Sequence, residues 1–257
     1  MILVKSTFLN YDKPLITAMI QYPTPEECIA KIKASIKDGA DAIGIQFCKL
    51  RTEYYTKEVF SEIFAACQGK PTYVTCYPYG EAENLTDEQR ADVLRLALSC
   101  GATLIDVYGF MYGGERDLEI NATPEAIIKQ KAFIEEIHQK GGEVLFSSHT
   151  HVSLTKDIIV DIAKKQVERG ADVIKIVSEI NTVKDLPEFI EAIAEIKSFT
   201  DKKLLFLATG ECDILRYIGP SLGVCMYLCV AYHGPIDTAA QPLISKIKPI
   251  RDNIKFI

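Results

Sequence analysis

Three separated stretches of the chain carry one phrase, a polar helical run that ends in Gly-Ala and passes into an apolar strand: DGADAIGIQF (38–47), CGATLIDVYGF (100–110) and RGADVIKIVS (169–178). In each, the glycine suits the left-handed position that ends a helix, and the β-rich run behind it suits a strand buried on both faces. A chain that repeats helix, glycine and buried strand is building βα units around parallel strands. Outward from these joints the pattern predicts eight strands, at 15–21, 41–48, 72–76, 103–108, 143–148, 172–177, 203–208 and 223–230, with helices between them. Helix starts are marked by Thr24-Pro25-Glu26-Glu27 and Thr86-Asp87-Glu88-Gln89, each with threonine at the N-cap and Glu or Gln three residues on. Thr123-Pro124-Glu125 is similar but lacks the acid at that third position.

Eight strands alternating with eight helices in 257 residues is the count of a (β/α)8 (TIM) barrel. No linker or break in composition divides the chain, so residues 1–257 are expected as one domain, with residues 1–14 as a short hairpin closing the barrel bottom. A doubly wound open sheet would need a glycine-rich phosphate turn after the first strand, and Ile20-Gln21-Tyr22-Pro23-Thr24 has none. The net charge of −6 is spread along the chain without a basic run, which leaves no footprint for nucleic acid. No segment approaches the roughly 18 apolar residues of a membrane span, and the start MILVKSTFLNYDKP is too short an apolar stretch for a signal peptide. A cytoplasmic enzyme is expected. The eight cysteines form no C-x-x-C pair and several sit in apolar runs, as reduced, buried small hydrophobes do.

In such a barrel the reacting groups stand at the C-terminal ends of the strands. Strand six places Val173, Lys175 and Val177 on one face and Asp172, Ile174 and Ile176 on the other. A lysine flanked by apolar residues inside a barrel loses hydration, which favours the neutral, nucleophilic amine. Strand five, its neighbour, ends in Phe146-Ser147-Ser148-His149-Thr150-His151, so His149 can face Lys175 across the mouth. An imidazole that titrates near neutrality can take a proton beside an iminium and return it to a leaving hydroxyl. His151 is the reserve for that role. The two histidines have no third ligand at zinc spacing, and no metal or other cofactor is expected. After strand seven, Arg216 can bring a planar fork to a substrate carboxylate, and Gln241, beyond strand eight, can add an amide donor.

Ser147-x-His149 at the end of strand five, A-D-V-I-K-I in strand six, the loop from Gly210 to Arg216 and the late Gln241 together resemble type I 3-dehydroquinate dehydratase, over nearly the whole chain. The resemblance implies a hydro-lyase in which Lys175 condenses with a ketone, His149 moves the protons, and Arg216 and Gln241 grip a carboxylate. A homodimer would be in keeping with it, and shikimate-pathway and catabolic members would read alike. The chain departs from the family at strand two, where an E-x-R phrase and a following acid are replaced by Gly44, Gln46 and Cys48. Strand three offers Cys76 where the family has an arginine, the acid of the next loop is displaced to Glu81 or Glu83, and Tyr108 replaces an acid in strand four. Gln46 is left as the strand-two substrate contact, with Glu81 and Tyr108 in reserve. Losing charged hydrogen-bonding groups weakens recognition of the family's hydroxylated ring; among carboxylated β-hydroxy ketones, 3-dehydroquinate is the default substrate that the resemblance implies. A class I aldolase would need the same lysine, and a non-catalytic ligand-binding barrel is the third alternative.

Overall fold

The computed structural model describes residues 7–152, 154–179 and 181–256. Among these, strands and helices alternate: β1 (Leu15–Ile20), α1 (Pro25–Lys37), β2 (Ala42–Gln46), α2 (Lys57–Ala66), β3 (Thr72–Thr75), α3 (Asp87–Cys100), β4 (Leu104–Tyr108), α4 (Pro124–Gln139), β5 (Glu143–Thr150), α5 (Lys156–Glu168), β6 (Val173–Ser178), α6 (Leu186–Phe199), β7 (Lys203–Ala208), α7 (Leu215–Ile218), β8 (Met226–Cys229) and α8 (Ile244–Asn253). The paired strands are parallel and run β7-β6-β5-β4-β3-β2-β1-β8. A hydrogen bond from the Cys225 amide to the Leu204 carbonyl (2.7 Å) carries the wall on from β8 towards β7, and the result is a (β/α)8 barrel. None of the described helices is long and apolar enough to cross a membrane.

The repeated phrase works as a joint. Gly39, Gly101 and Gly170 have φ of +100°, +123° and +103°, a region that side chains with a Cβ rarely adopt. Ala40, Ala102 and Ala171 are buried behind them. The next residue then pins its own strand to the preceding one, because its side-chain oxygen accepts a backbone N–H from the neighbour. Ile16 donates to Asp41 (2.9 Å), Thr72 to Thr103 (3.3 Å) and Val144 to Asp172 (3.0 Å). The one phrase thus ends a helix, turns the chain and sets the register of the β1/β2, β3/β4 and β5/β6 pairs.

The strand predictions hold in number and order, and three boundaries shift by two residues or more. β5 runs on to Thr150, whose carbonyl accepts the Glu179 amide (3.2 Å), so His149 is a strand residue paired with Val177. β2 stops at Gln46, where Phe47 turns to stack on Phe60 of α2 at 4.1 Å. β8 begins only at Met226, after a left-handed turn at Gly223. The expected N-terminal hairpin lies partly outside the described residues; its described part, residues 7–14, contains bends and no strand. Phe8 is nonetheless buried, and its amide bonds Glu143 at the start of β5.

Gly109, which follows β4, has no room for a side chain. An added Cβ would lie 1.4 Å from the Glu119 carbonyl oxygen. Gly109→Ala is therefore expected to push residues 115–121 off the barrel and to cost ~3 kcal/mol or more in urea denaturation. A loss below ~1 kcal/mol would mean that the loop gives way freely.

Candidate active site

Inside the barrel, Ser147 stands opposite Lys175 across the β5/β6 pair. The Lys175 Nζ lies 2.8 Å from the Tyr73 hydroxyl, 2.7 Å from the Tyr77 hydroxyl and 3.2 Å from Asp106 Oδ2, one partner for each of its three protons as an ammonium. Both tyrosines donate to the same Asp106 oxygen, and Ser147 donates to Oδ1. Lysine, tyrosines, serine and aspartate thus form one buried network. Burial pulls the Lys175 amine below its ordinary 10.5, and the Asp106 charge opposes that shift. Burial, and then the same aspartate, hold the Tyr73 and Tyr77 phenols well above their usual range, so both remain protonated donors.

This balance has a measurable consequence. The neutral amine becomes available as pH rises through the lysine's folded pKa, below 10.5. Asp106→Asn removes the charge that favours the ammonium, so the rise should move to lower pH. The rate of borohydride trapping of a ketone on Lys175 against pH reads this directly, and a rise displaced to higher pH would contradict the assignment of charges.

His149 sits at the rim above this network. Its backbone N–H donates to Glu119 Oε2 (2.8 Å) and its Nδ1 lies 3.2 Å from the same oxygen, while its ring meets Tyr77 edge-on at 5.0 Å. With Nδ1 engaged by the carboxylate, Nε2 is the nitrogen left for proton exchange. Glu119 is itself tightly placed. Its φ is +49°, its carbonyl accepts the Ser148 hydroxyl (2.9 Å), and Arg169 grips the next carbonyl, that of Ile120 (2.5 Å). Gln166 ties this support to the lysine, bonding Ser148 Oγ and both backbone groups of Lys175 at 2.9–3.0 Å.

A cavity of about 350 Å³ opens over these groups, lined among others by Tyr77, Tyr79, Phe110, Glu119, His149 and His151. Tyr77 lines this cavity, and its hydroxyl meets Lys175 Nζ. His151 lies just past β5, half exposed, with Nδ1 on Glu179 (2.9 Å) and Nε2 3.8 Å from Glu119. Arg216 is buried on α7, its Nε donating to the Ala208 carbonyl (2.8 Å), and among the described residues no carboxylate lies within 4.0 Å of its guanidinium. It is close enough to Lys175 to oppose the ammonium. Gln241 is buried beside the end of β1, where its Oε1 accepts from Gln21 Nε2 (3.1 Å).

The other sequence candidates lie further from this network. Gln46 is half-buried at the end of β2 and meets the Tyr79 hydroxyl at 3.5 Å. Glu81 is exposed in the turn after β3, and Glu119, from the loop after β4, takes up the histidine. Tyr108 donates to Asp87 (2.6 Å) and accepts from Arg90 (2.8 Å), which fixes it against α3. On β3 the side chain facing the lysine is Tyr73, joined by Tyr77 two residues past the strand's end, whereas Cys76 is buried beside Tyr55. At Gly44, where the strand-two grip would begin, the space is occupied: a Cβ there would meet Met19 Sδ at 2.3 Å and the Tyr73 ring at 3.2 Å. Tyr73 shares an inward face with Asp106 and Lys175, a parity visible in the sequence once the strands are placed. Glu119 carries no such signal, since a loop fixes its position.

The backbone has close counterparts among solved structures. 3-Dehydroquinate dehydratase from Geobacillus kaustophilus superposes with a TM-score of 0.80 at 15% identity, covering 96% of this chain and 94% of that one. The type I enzyme from Clostridium difficile, solved with covalently modified comenic acid, gives 0.80 at 20% identity over 95% and 93%. The Enterococcus faecalis 3-dehydroquinate dehydratase gives 0.78 at 15% over 97% and 99%. No curated protein sequence matches the chain. At these identities the structures speak for the fold alone, but the family model for type I 3-dehydroquinase matches residues 16–248, a span that includes Lys175, His149, Arg216 and Gln241. The chain belongs to the type I 3-dehydroquinase family.

Proposed function

We propose that the protein is a Schiff-base dehydratase acting on a carboxylated β-hydroxy ketone, with 3-dehydroquinate, the substrate named for its structural counterparts, as the first substrate to test. The observation that carries this reading is the amine of Lys175, buried below a cavity whose rim holds a histidine fixed by a carboxylate. The neutral amine adds to the ketone, and the carbinolamine loses water to give an iminium. His149 then removes a proton alpha to the iminium, and the iminium nitrogen takes up the electron pair as an enamine. The enamine expels the β-hydroxyl, which leaves as water with the proton from His149, and hydrolysis of the conjugated iminium frees the enone and Lys175.

Arg216 and Gln241 are assigned to the substrate carboxylate. Arg216 stays cationic although burial pulls its pKa down, and a buried cation without a carboxylate partner among the described residues favours an anionic ligand. The same reading makes the protein a cytoplasmic enzyme of small molecules. Addition of 3-dehydroquinate should produce an enone absorbance, and borohydride should fix an adduct whose peptide map falls on Lys175. Trapping of 3-dehydroquinate at Lys175 without enone would keep the imine and replace the substrate. No adduct at Lys175 across a panel of keto acids would remove the reading.

A further inference from the structure

A second buried ion pair lies away from the reacting groups, on the α1 side of the barrel. Lys31 of α1 and Asp237 of the loop between β8 and α8 meet at 2.7 Å, and both side chains have 0% exposure. The Lys31 Nζ also donates to the Tyr232 carbonyl (2.5 Å), reaches the Tyr22 hydroxyl (3.3 Å) and lies 3.5 Å from the centre of the Tyr232 ring. Asp237 Oδ2 accepts in addition from the Gly234 amide (2.7 Å) and the Tyr22 hydroxyl (3.2 Å), while its buried Oδ1 has no partner. Desolvating both charges makes such a pair a weak source of net stability; its distinctive effect is to select one arrangement, because a displaced loop leaves each charge without its partner.

The arrangement it selects leads to Gln241. Next to Asp237, the Thr238 hydroxyl donates to Gln21 Oε1 (3.2 Å), and Gln21 Nε2 donates to Gln241 Oε1 (3.1 Å), with the Gln241 amide closing a turn on the Thr238 carbonyl (3.0 Å). The Gln241 oxygen is thereby occupied, and its amide NH2 is the end left to donate to a carboxylate oxygen. We propose that Lys31 is a positioning residue, whose ion pair with Asp237 latches the β8–α8 loop against α1 and so holds Gln241 at the barrel mouth for the substrate carboxylate. This rests on the assignment of Gln241 to the substrate.

The test compares Lys31→Met and the double variant Lys31→Met/Asp237→Leu, which removes both charges, with the unsubstituted protein. Hydrogen exchange of peptides spanning residues 231–241 in the free enzyme should speed up in Lys31→Met by tenfold or more, with other peptides unchanged. KM for 3-dehydroquinate should rise at least tenfold while kcat stays within twofold, and the double variant should regain thermal stability yet keep the raised KM. Unchanged exchange in 231–241, or a KM that recovers together with stability, overturns the latch. If Lys31→Met does not fold, Asp237→Asn carries the same comparison. If the unsubstituted enzyme does not turn over 3-dehydroquinate, the substrate assignment has failed, and the exchange of residues 231–241 still decides the latch.

Discussion

Lys175→Met is expected to abolish borohydride trapping and to lower turnover on the order of 10⁴-fold or more, since the imine route depends on this amine. Methionine matches about the length of the lysine stem, with sulfur for one methylene, and lacks the amine, so the loss would report chemistry more than a cavity. The substitution leaves Asp106 in place, fully buried, but its oxygens keep the hydroxyls of Tyr73, Tyr77 and Ser147. Breaking a buried ion pair typically costs ~3–5 kcal/mol; with three donors retained, a smaller loss of roughly 1–3 kcal/mol is expected in chemical denaturation. A Lys175→Met protein that still traps ketone on another lysine, with turnover near that of the parent, would move the nucleophile elsewhere.

His149→Ala should separate imine formation from proton transfer. Removing a positioned acid–base group lowers turnover by ~10²–10⁴-fold, whereas the amine of Lys175, held by Tyr73, Tyr77 and Asp106, keeps its partners and should still trap the ketone. His151→Ala should be milder, within about tenfold, because His151 is half exposed and faces Glu179 at the edge of the cavity. Turnover lost in His151→Ala and kept in His149→Ala would transfer the base to His151. Glu119 bonds both the backbone and the ring of His149, so Glu119→Gln should weaken turnover without affecting trapping.

The site was legible in the sequence to the extent that strand parity reaches. Once β5 and β6 are neighbours, the Ser147-x-His149 phrase can face Lys175 across the mouth; the register that sets Ser147 opposite Lys175 came from the structure. The same parity covers Asp106 and Tyr73, although their convergence on one amine appears only when the walls close. It also separates Tyr77 from Cys76: adjacent residues of an extended chain point to opposite faces, and the tyrosine is the one on the lysine. Glu119 lay beyond such reasoning. It arrives through a loop whose path is set by a glycine with no room for a side chain, by Arg169 from the end of α5 and by Ser148 from β5.

By itself the sequence determined the alternation of strands and helices, because glycine, alanine and a capping oxygen act on their immediate neighbours. It also determined that Lys175 shares one face of its strand with Val173 and Val177, because a strand's side chains alternate with a period of two; that this face is the inner one came from the closed barrel. The tertiary structure alone decided which groups surround that lysine. Tyr73 and Asp106 come from β3 and β4 and Tyr77 from just past the end of β3, and a hydrogen bond of about 3 Å has no expression in sequence spacing until the barrel has closed. That strand two carries no charged grip is written in Gly44, Gln46 and Cys48; the structure adds that Met19 and Tyr73 occupy the space beside Gly44.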